Sequence, residues 1–363
     1  MTKSRKIWLD VVRATAILCV VLCHSVEAFY HPVLLGQLQV SFPLWNIENL
    51  LFTIGRIGVP LFLATTGALM LPRDYPDVSA FYKKSLLPLF LTTEIWIFFN
   101  YIFFCVIEHQ TFNISRLLLE MLFLKSSSLS HMWYMPVILG CYIALPFLSR
   151  LLQTSTNLRQ YSLLYVLGII IFFIIPTANV FFKESITVIP VFRSQLDTGL
   201  WGSYYSFYII TGYLISKHQM LDRFKSQSLL FGIILAFVLN STGQYYLYSH
   251  HYYQSAFLYW YSDFAIFLIG IFTFELLRRR YHNKAIIKFA PVIEYISRCS
   301  FGIYIIHKPI LVVLQKYFNH FTTASVHIQM PALFFASLFG SLILLYPFKS
   351  VWKKAGVLLF HIK

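Results

Sequence analysis

The feature that most constrains this chain of 363 residues is a recurring apolar run, about 20 residues long each time and broken by short polar stretches. A helix of that length spans the roughly 30 Å of hydrocarbon in a bilayer. The runs are continuous and do not alternate over ten residues, so they read as helices and not as barrel strands. Charged residues make up 12% of the chain, against about 25% in a soluble domain. The expected fold is an all-α, polytopic bundle of about ten transmembrane helices. They are placed at about 7–29, 47–71, 81–107, 132–150, 161–181, 201–216, 228–247, 257–277, 296–315 and 329–348. The sixth is short, and Lys308-Pro309 interrupts the ninth. Residues 1–363 read as a single membrane domain with no separate soluble domain. The first run is too long and too charged internally to serve as a signal peptide.

A net charge of +15 would suggest nucleic acid in a soluble protein, but here the cations follow the membrane and no nucleic-acid partner is expected. With the N-terminus placed in the cytoplasm, 21 of the 29 Lys and Arg fall on inner loops and ends. Only Arg116, Lys125, Lys183, Arg193 and Lys316 fall outside. That bias favours both termini on the cytoplasmic side of the cell membrane. Between the third and fourth spans, Asn113–Lys125 carries Ile114, Leu117, Leu118, Met121 and Leu122 on one stripe. It reads as a helix lying on the outer membrane surface. The five cysteines all sit in apolar runs without zinc-like spacing, so they read as small hydrophobes and no metal site is expected.

Ionisable residues inside the runs carry the functional signal, because each costs about 3 kcal/mol in hydrocarbon. The first run holds Asp10, Arg13, His24 and Glu27. Eleven residues separate Arg13 from His24, which puts the two within about 20° on one helix face and roughly 16 Å apart in depth. Asp10 lies one turn below Arg13 and can partly neutralise it. Arg13 alone could be snorkelling to headgroups, and His24 alone could be an interhelical hydrogen-bonding group. The second span places Arg56 near the same depth as His24, flanked by Gly55 and Gly58, which permit close approach of a helix or ligand. The structural alternative is that Arg56 pairs with a carboxylate such as Glu94. His131, Trp133 and Tyr134 open the fourth span, where an aromatic belt explains at least one ring. Ser300, Tyr304 and His307 form an i, i+4, i+7 stripe on the ninth. Glu275 reads as a structural ion pair with Arg278 and Arg279, and Asp263 as a solvated carboxylate near an outer helix end.

Four of these patterns occur in a recognisable order. They are Leu9-Asp10-x-x-Arg13-(x10)-His24, then Gly55-Arg56-x-Gly58-Val59-Pro60-Leu61-Phe62 with Thr66-Gly67-Ala68-Leu69, then His131-x-Trp133-Tyr134, and finally Ser300-Phe301-Gly302-Ile303-Tyr304-x-x-His307. Together they resemble the acyltransferase-3 family, integral membrane acyltransferases that include many O-acetyltransferases of bacterial surface glycans. The resemblance covers nearly the whole chain. It implies ten helices, a cytosolic acyl-CoA donor and an acceptor across the membrane. It places the family's Arg-x10-His pair on Arg13 and His24, and its second-span arginine on Arg56. The chain departs from the commoner pattern at Ala64-Thr65-Thr66, and the hydrolase-like domain that some members append is not expected within residues 1–363.

The chemistry agrees with that expectation. Neutral imidazole is suited to deprotonate a hydroxyl, so His24 is the candidate base, with Glu27 one turn away to orient the ring. Arg56 is the candidate oxyanion donor. Arg13 and Lys6, with Asp10 beside Arg13, are the candidates for holding the phosphates of acetyl-CoA, the expected co-substrate. His131, Trp133, Tyr134, Ser300, Tyr304 and His307 are assigned to the acceptor, a cell-surface or lipid-linked glycan. The rival readings are a transporter or flippase of a glycan or acylated precursor, and a membrane ligand-binding or sensor module.

Overall fold

In a computed structural model, residues 7–154, 159–185, 203–251, 256–280, 288–321 and 326–361 are described. Among them the protein is all helical, with no strand. The helices are α1 (Ile7–Leu34), α2 (Phe42–Arg56), α3 (Gly58–Met70), α4 (Val78–Ile107), α5 (Ile114–Met121) and α6 (Ser130–Thr154). Then follow α7 (residues 159–185), α8 (Tyr204–His218), α9 (Ser226–Ser249), α10 (Phe264–Arg280), α11 (Ala290–Phe321), α12 (Val326–Ser350) and α13 (Lys353–Phe360). Among the described residues, eight helical stretches are long and apolar enough to cross a membrane, α2 and α3 together forming one. The protein is thus a multi-pass membrane protein. The two expected spans outside that set are α8 and α10, of 15 and 17 residues. At 1.5 Å per residue they reach about 22 and 26 Å, short of the hydrocarbon thickness.

Two compact units divide the chain, one formed by Met1–Asp74 with Phe147–Glu294, the other by Tyr75–Pro146 with Tyr295–Lys363. In the first, α1 packs on α2 and α3, α3 on α8, and α9 on α10. The first two spans are 67% and 72% buried over their apolar windows, against 17% and 22% for those of α7 and α9, so α1 to α3 form the interior of this unit. Small residues set how closely they approach. A Cβ on Gly55 would lie 2.6 Å from the Cys23 backbone, and one on Gly58 would lie 2.6 Å from the Ala16 carbonyl. At the α3–α8 contact the backbones themselves touch. A Cβ on Gly67 would stand 1.8 Å from the Ile209 carbonyl oxygen, and one on Gly212 would stand 2.1 Å from that of Ala64. The small, buried Ala64 in the stretch that departs from the family pattern thus sits where a helix backbone arrives.

The second span is broken. α2 stops at Arg56 and α3 starts at Gly58. Pro60 has no N–H to return to the Arg56 carbonyl four residues back, and its ring crowds that carbonyl, so the ladder is interrupted there. The eighth expected span also begins differently. Residues 256–263 are not an α-helix: a 3-10 turn at Ala256–Tyr259 precedes α10. Asp263 is buried rather than solvated. It caps α10 by accepting from the Ile266 N–H at 2.9 Å, and it accepts from the Thr177 hydroxyl at 3.1 Å and the Asn240 amide at 3.3 Å. A lost cap is worth about 0.5–2 kcal/mol. Asp263→Ala should therefore lower the thermal unfolding midpoint of the detergent-purified protein, and Asp263→Asn, which keeps an acceptor oxygen, should lower it less. Light-scattering or tryptophan-fluorescence melts compare them.

In the second unit, Asn113 caps the amphipathic α5 by accepting from the Arg116 N–H. Of the expected stripe, the helix buries Leu117 and leaves Ile114 and Leu118 exposed, with Leu122 exposed just past its end. Its buried Glu120 accepts from Arg116 Nε at 3.1 Å and from the Ser128 backbone at 2.9 Å, which ties the segment down. The chain end is held by α4, where Thr92 and Trp96 donate to the Leu358 and Leu359 carbonyls, both at 2.8 Å.

Candidate active site

The interior of the first unit brings His24, Glu27 and Arg56 into one region. Along α1, His24 and Glu27 are three residues apart and therefore share a face. His24 Nδ1 donates to Glu27 Oε2 at 2.7 Å, with side-chain exposures of 12% and 29%, so the pair is enclosed but reachable. Arg56 comes in on α2 because its neighbour Gly55 rests on the Cys23 backbone, one residue before His24. Its guanidinium lies within electrostatic reach of Cys23 and Glu27.

What holds Arg56 is largely aromatic. The guanidinium carbon sits 4.3 Å from the Tyr261 ring centroid, 5.3 Å from that of Trp260 and 5.7 Å from that of Phe52. Cation–π contact of this kind partly replaces the water a cation loses on burial. Nε donates to the Tyr259 carbonyl at 2.7 Å. That bond belongs to a set. The stretch before α10, which is not α-helical, has three carbonyls bound by side chains: Leu258 by Asn240 at 2.7 Å, Tyr259 by Arg56, and Tyr261 by Tyr208 at 2.8 Å. Irregular backbone at membrane depth persists only where its polar groups are satisfied in this way. Arg56 thus has a structural task, and the five N–H donors of a guanidinium are not exhausted by it.

Beside Arg56 in the same unit, a chain of polar groups runs through the Tyr259 hydroxyl. Tyr30 and Tyr259 share a hydroxyl–hydroxyl bond at 2.5 Å. Tyr259 donates to Asn49, whose amide donates to Ser241 at 2.8 Å. The sequence carries a signal for these groups, because Asn49, Thr53 and Arg56 repeat the i, i+4, i+7 spacing used to select Ser300, Tyr304 and His307. Glu48 is also buried there, with one carboxylate oxygen lacking a hydrogen-bond partner among the described residues.

Of the residues expected to hold a donor, Asp10 is buried on α1 and Arg13 is partly buried. Lys6 lies outside the described residues. Glu275, in contrast, is a structural anchor, accepting from Arg278 Nε at 2.7 Å and from Arg279.

The residues expected to meet an acceptor assemble in the second unit. Ser130–Trp133 forms a 3-10 turn that opens α6 and buries His131. The His131 ring lies 5.4 Å from both Tyr304 and His307, and Tyr134 lies 5.9 Å from Tyr304. The Tyr304 hydroxyl donates to the His131 carbonyl at 2.5 Å, and His307 Nδ1 donates to the Ile303 carbonyl at 2.9 Å. Ser300 shares the stripe and is buried, while Trp133 stacks edgewise on Tyr134 at 6.0 Å. Residues 173 positions apart in sequence therefore meet in one cluster of imidazoles and phenols. Among the described residues no group of three or more His, Cys, Asp or Glu converges as metal ligands would.

The first unit thus sets a part-buried His–Glu pair within electrostatic reach of a buried arginine. The model of the acyltransferase-3 family, described as an acyltransferase domain, matches residues 6–347, and the chain belongs to that family. No curated protein and no solved structure matches the chain.

Proposed function

We propose that this protein moves a short acyl group, acetyl in the first instance, from a cytosolic acyl-CoA to a hydroxyl of a cell-surface or lipid-linked glycan across the cell membrane. The observation that carries the reading is the 2.7 Å bond between His24 and Glu27 in the bundle interior, with Arg56 close by. Glu27 holds the proton on Nδ1, which puts the lone pair of the ring on Nε2. The acceptor hydroxyl gives its proton to Nε2 as its oxygen attacks the thioester carbonyl. The carbonyl oxygen takes up negative charge, and Arg56 stabilises it. Collapse breaks the carbon–sulfur bond, and the CoA thiolate leaves with the proton from the imidazolium. Arg13 and Lys6, with Asp10 tempering the guanidinium, receive the donor phosphates at the basic end of α1. His131, Trp133, Tyr134, Ser300, Tyr304 and His307 supply ring faces and hydrogen-bonding groups suited to a sugar.

Incubation of purified protein with labelled acetyl-CoA tests the reading: free CoA should appear when a glycan acceptor is added, and slowly with water. A transporter reading draws on the helix break at Ile57. Transport of an intact substrate with no CoA release would establish it instead. Arg13→Ala should weaken CoA binding about 10- to 100-fold, since a charge-assisted phosphate contact is worth roughly 1.5–3 kcal/mol. Arg13→Lys should retain part of it. Calorimetric titration of CoA reads both, and equal affinity in wild type and Arg13→Ala would remove the donor-clamp role.

A further inference from the structure

The second unit contains a cavity of about 630 Å³ that the acyl-transfer chemistry does not use. It lies between α4 and α6, and its lining is polarised from end to end. Ser79, Tyr82 and Lys83, from the first turns of α4, mark one end; Leu86, Leu87 and Phe90 follow up the helix. Pro136, Leu139, Gly140 and Ile143 of α6 form the opposite wall, and Phe123 closes the far end, 6.4 Å from the Phe90 ring. Eleven residues from Ser79 to Phe90 rise about 16 Å, close to half the hydrocarbon thickness.

Two local features shape the space. Tyr82–Leu86 is a π turn, which supplies Tyr82, Lys83 and Leu86 to the lining, and π turns are frequent at functional sites. The Tyr82 hydroxyl donates to the Ile143 carbonyl at 2.7 Å, which pins the two walls together. The other feature is Gly140. A Cβ built there meets nothing within 4 Å, whereas every other helical glycine described meets a neighbour. Its missing side chain therefore serves no helix contact and leaves room for a ligand.

We propose that this cavity is a specific site for an anionic phospholipid, with one acyl chain along Leu86, Phe90, Leu139 and Ile143 and the phosphate at Lys83. The charge complements a phosphate, the apolar wall complements a chain, and their separation is that of one leaflet. The exposed ammonium of Lys83 sits in the first turns of a membrane span, where headgroups lie. The site is independent of the catalytic reading.

The test uses full-length protein in a neutral detergent, with phosphatidylglycerol added as mixed micelles and the thermal midpoint as readout. Wild type should be stabilised by phosphatidylglycerol and much less by phosphatidylcholine. Lys83→Gln should require about five-fold more phosphatidylglycerol, and Lys83→Arg should restore the wild-type response. Gly140→Trp should abolish the response and Gly140→Ala should keep it. Because Lys83 is exposed, its variants remain informative if Gly140→Trp fails to fold. Equal responses in wild type and Lys83→Gln would overturn the proposal, as would equal stabilisation by the two lipids. Glycerol 1-phosphate should have no effect; stabilisation by it to the same extent would mean a phosphate site without a chain, and would also overturn it.

Discussion

His24→Ala should lower acyl transfer by about 10²- to 10⁴-fold, the usual range for loss of a general base, while leaving expression and membrane insertion intact. The side chain is only partly buried, and removing it opens no core comparable to a lost leucine. CoA affinity should change little, because the ring is not assigned to the donor phosphates. Glu27→Gln should fall between wild type and His24→Ala: an amide can still accept from Nδ1–H, but it does not stabilise the imidazolium. Rates of labelled acetyl transfer in purified variants decide this. Retention of more than about a tenth of the wild-type rate in His24→Ala would remove it as the base.

Gly212→Leu should abolish the folded protein. Even a methyl group at Gly212 would stand 2.1 Å from the Ala64 carbonyl oxygen, and the obstruction is backbone rather than the tip of a movable side chain. Overpacking typically costs 1–3 kcal/mol where neighbours can yield. Here α3 and α8 would have to separate along their length, so the loss should exceed that range. Gly67→Leu should behave alike, because its Cβ would meet Ile209 from the other side. Gly140→Ala provides the contrast, with open space around it and a gain of helix propensity of up to about 1 kcal/mol. Fluorescence size-exclusion profiles of tagged variants should show a monodisperse peak for Gly140→Ala and aggregation for the other two. A normal peak from Gly212→Leu would refute the close α3–α8 contact.

Long apolar runs suffice to specify an all-α membrane bundle, since hydrocarbon leaves helices as the remaining way for such a run to satisfy its own backbone. The His24–Glu27 pair is equally legible: residues three apart on one helix share a face, whatever surrounds them. The same holds for the stripe of Tyr304 and His307. Periodicity also found the amphipathic α5, though not that Glu120 would be buried in it and tied to Ser128.

Other features depend on which helix arrives where. Asp263 read as a solvated carboxylate because a charge near a helix end usually is; its burial follows from Thr177 and Asn240, 86 and 23 residues away, closing over it. The expected span from 257 began too early for the same reason. Apolarity alone cannot distinguish the start of a helix from a buried irregular segment, and residues 256–263 can remain irregular only because Asn240, Arg56 and Tyr208 bind their carbonyls. Arg56 illustrates both levels. Its sequence context marks it as an expensive cation kept for a purpose, whereas the break beside it at Ile57 shows only in the structure. The ring faces of Trp260 and Tyr261, more than 200 residues away, decide how that cation is held. A local pattern fixes the face a residue occupies on its helix; only packing decides what that face meets.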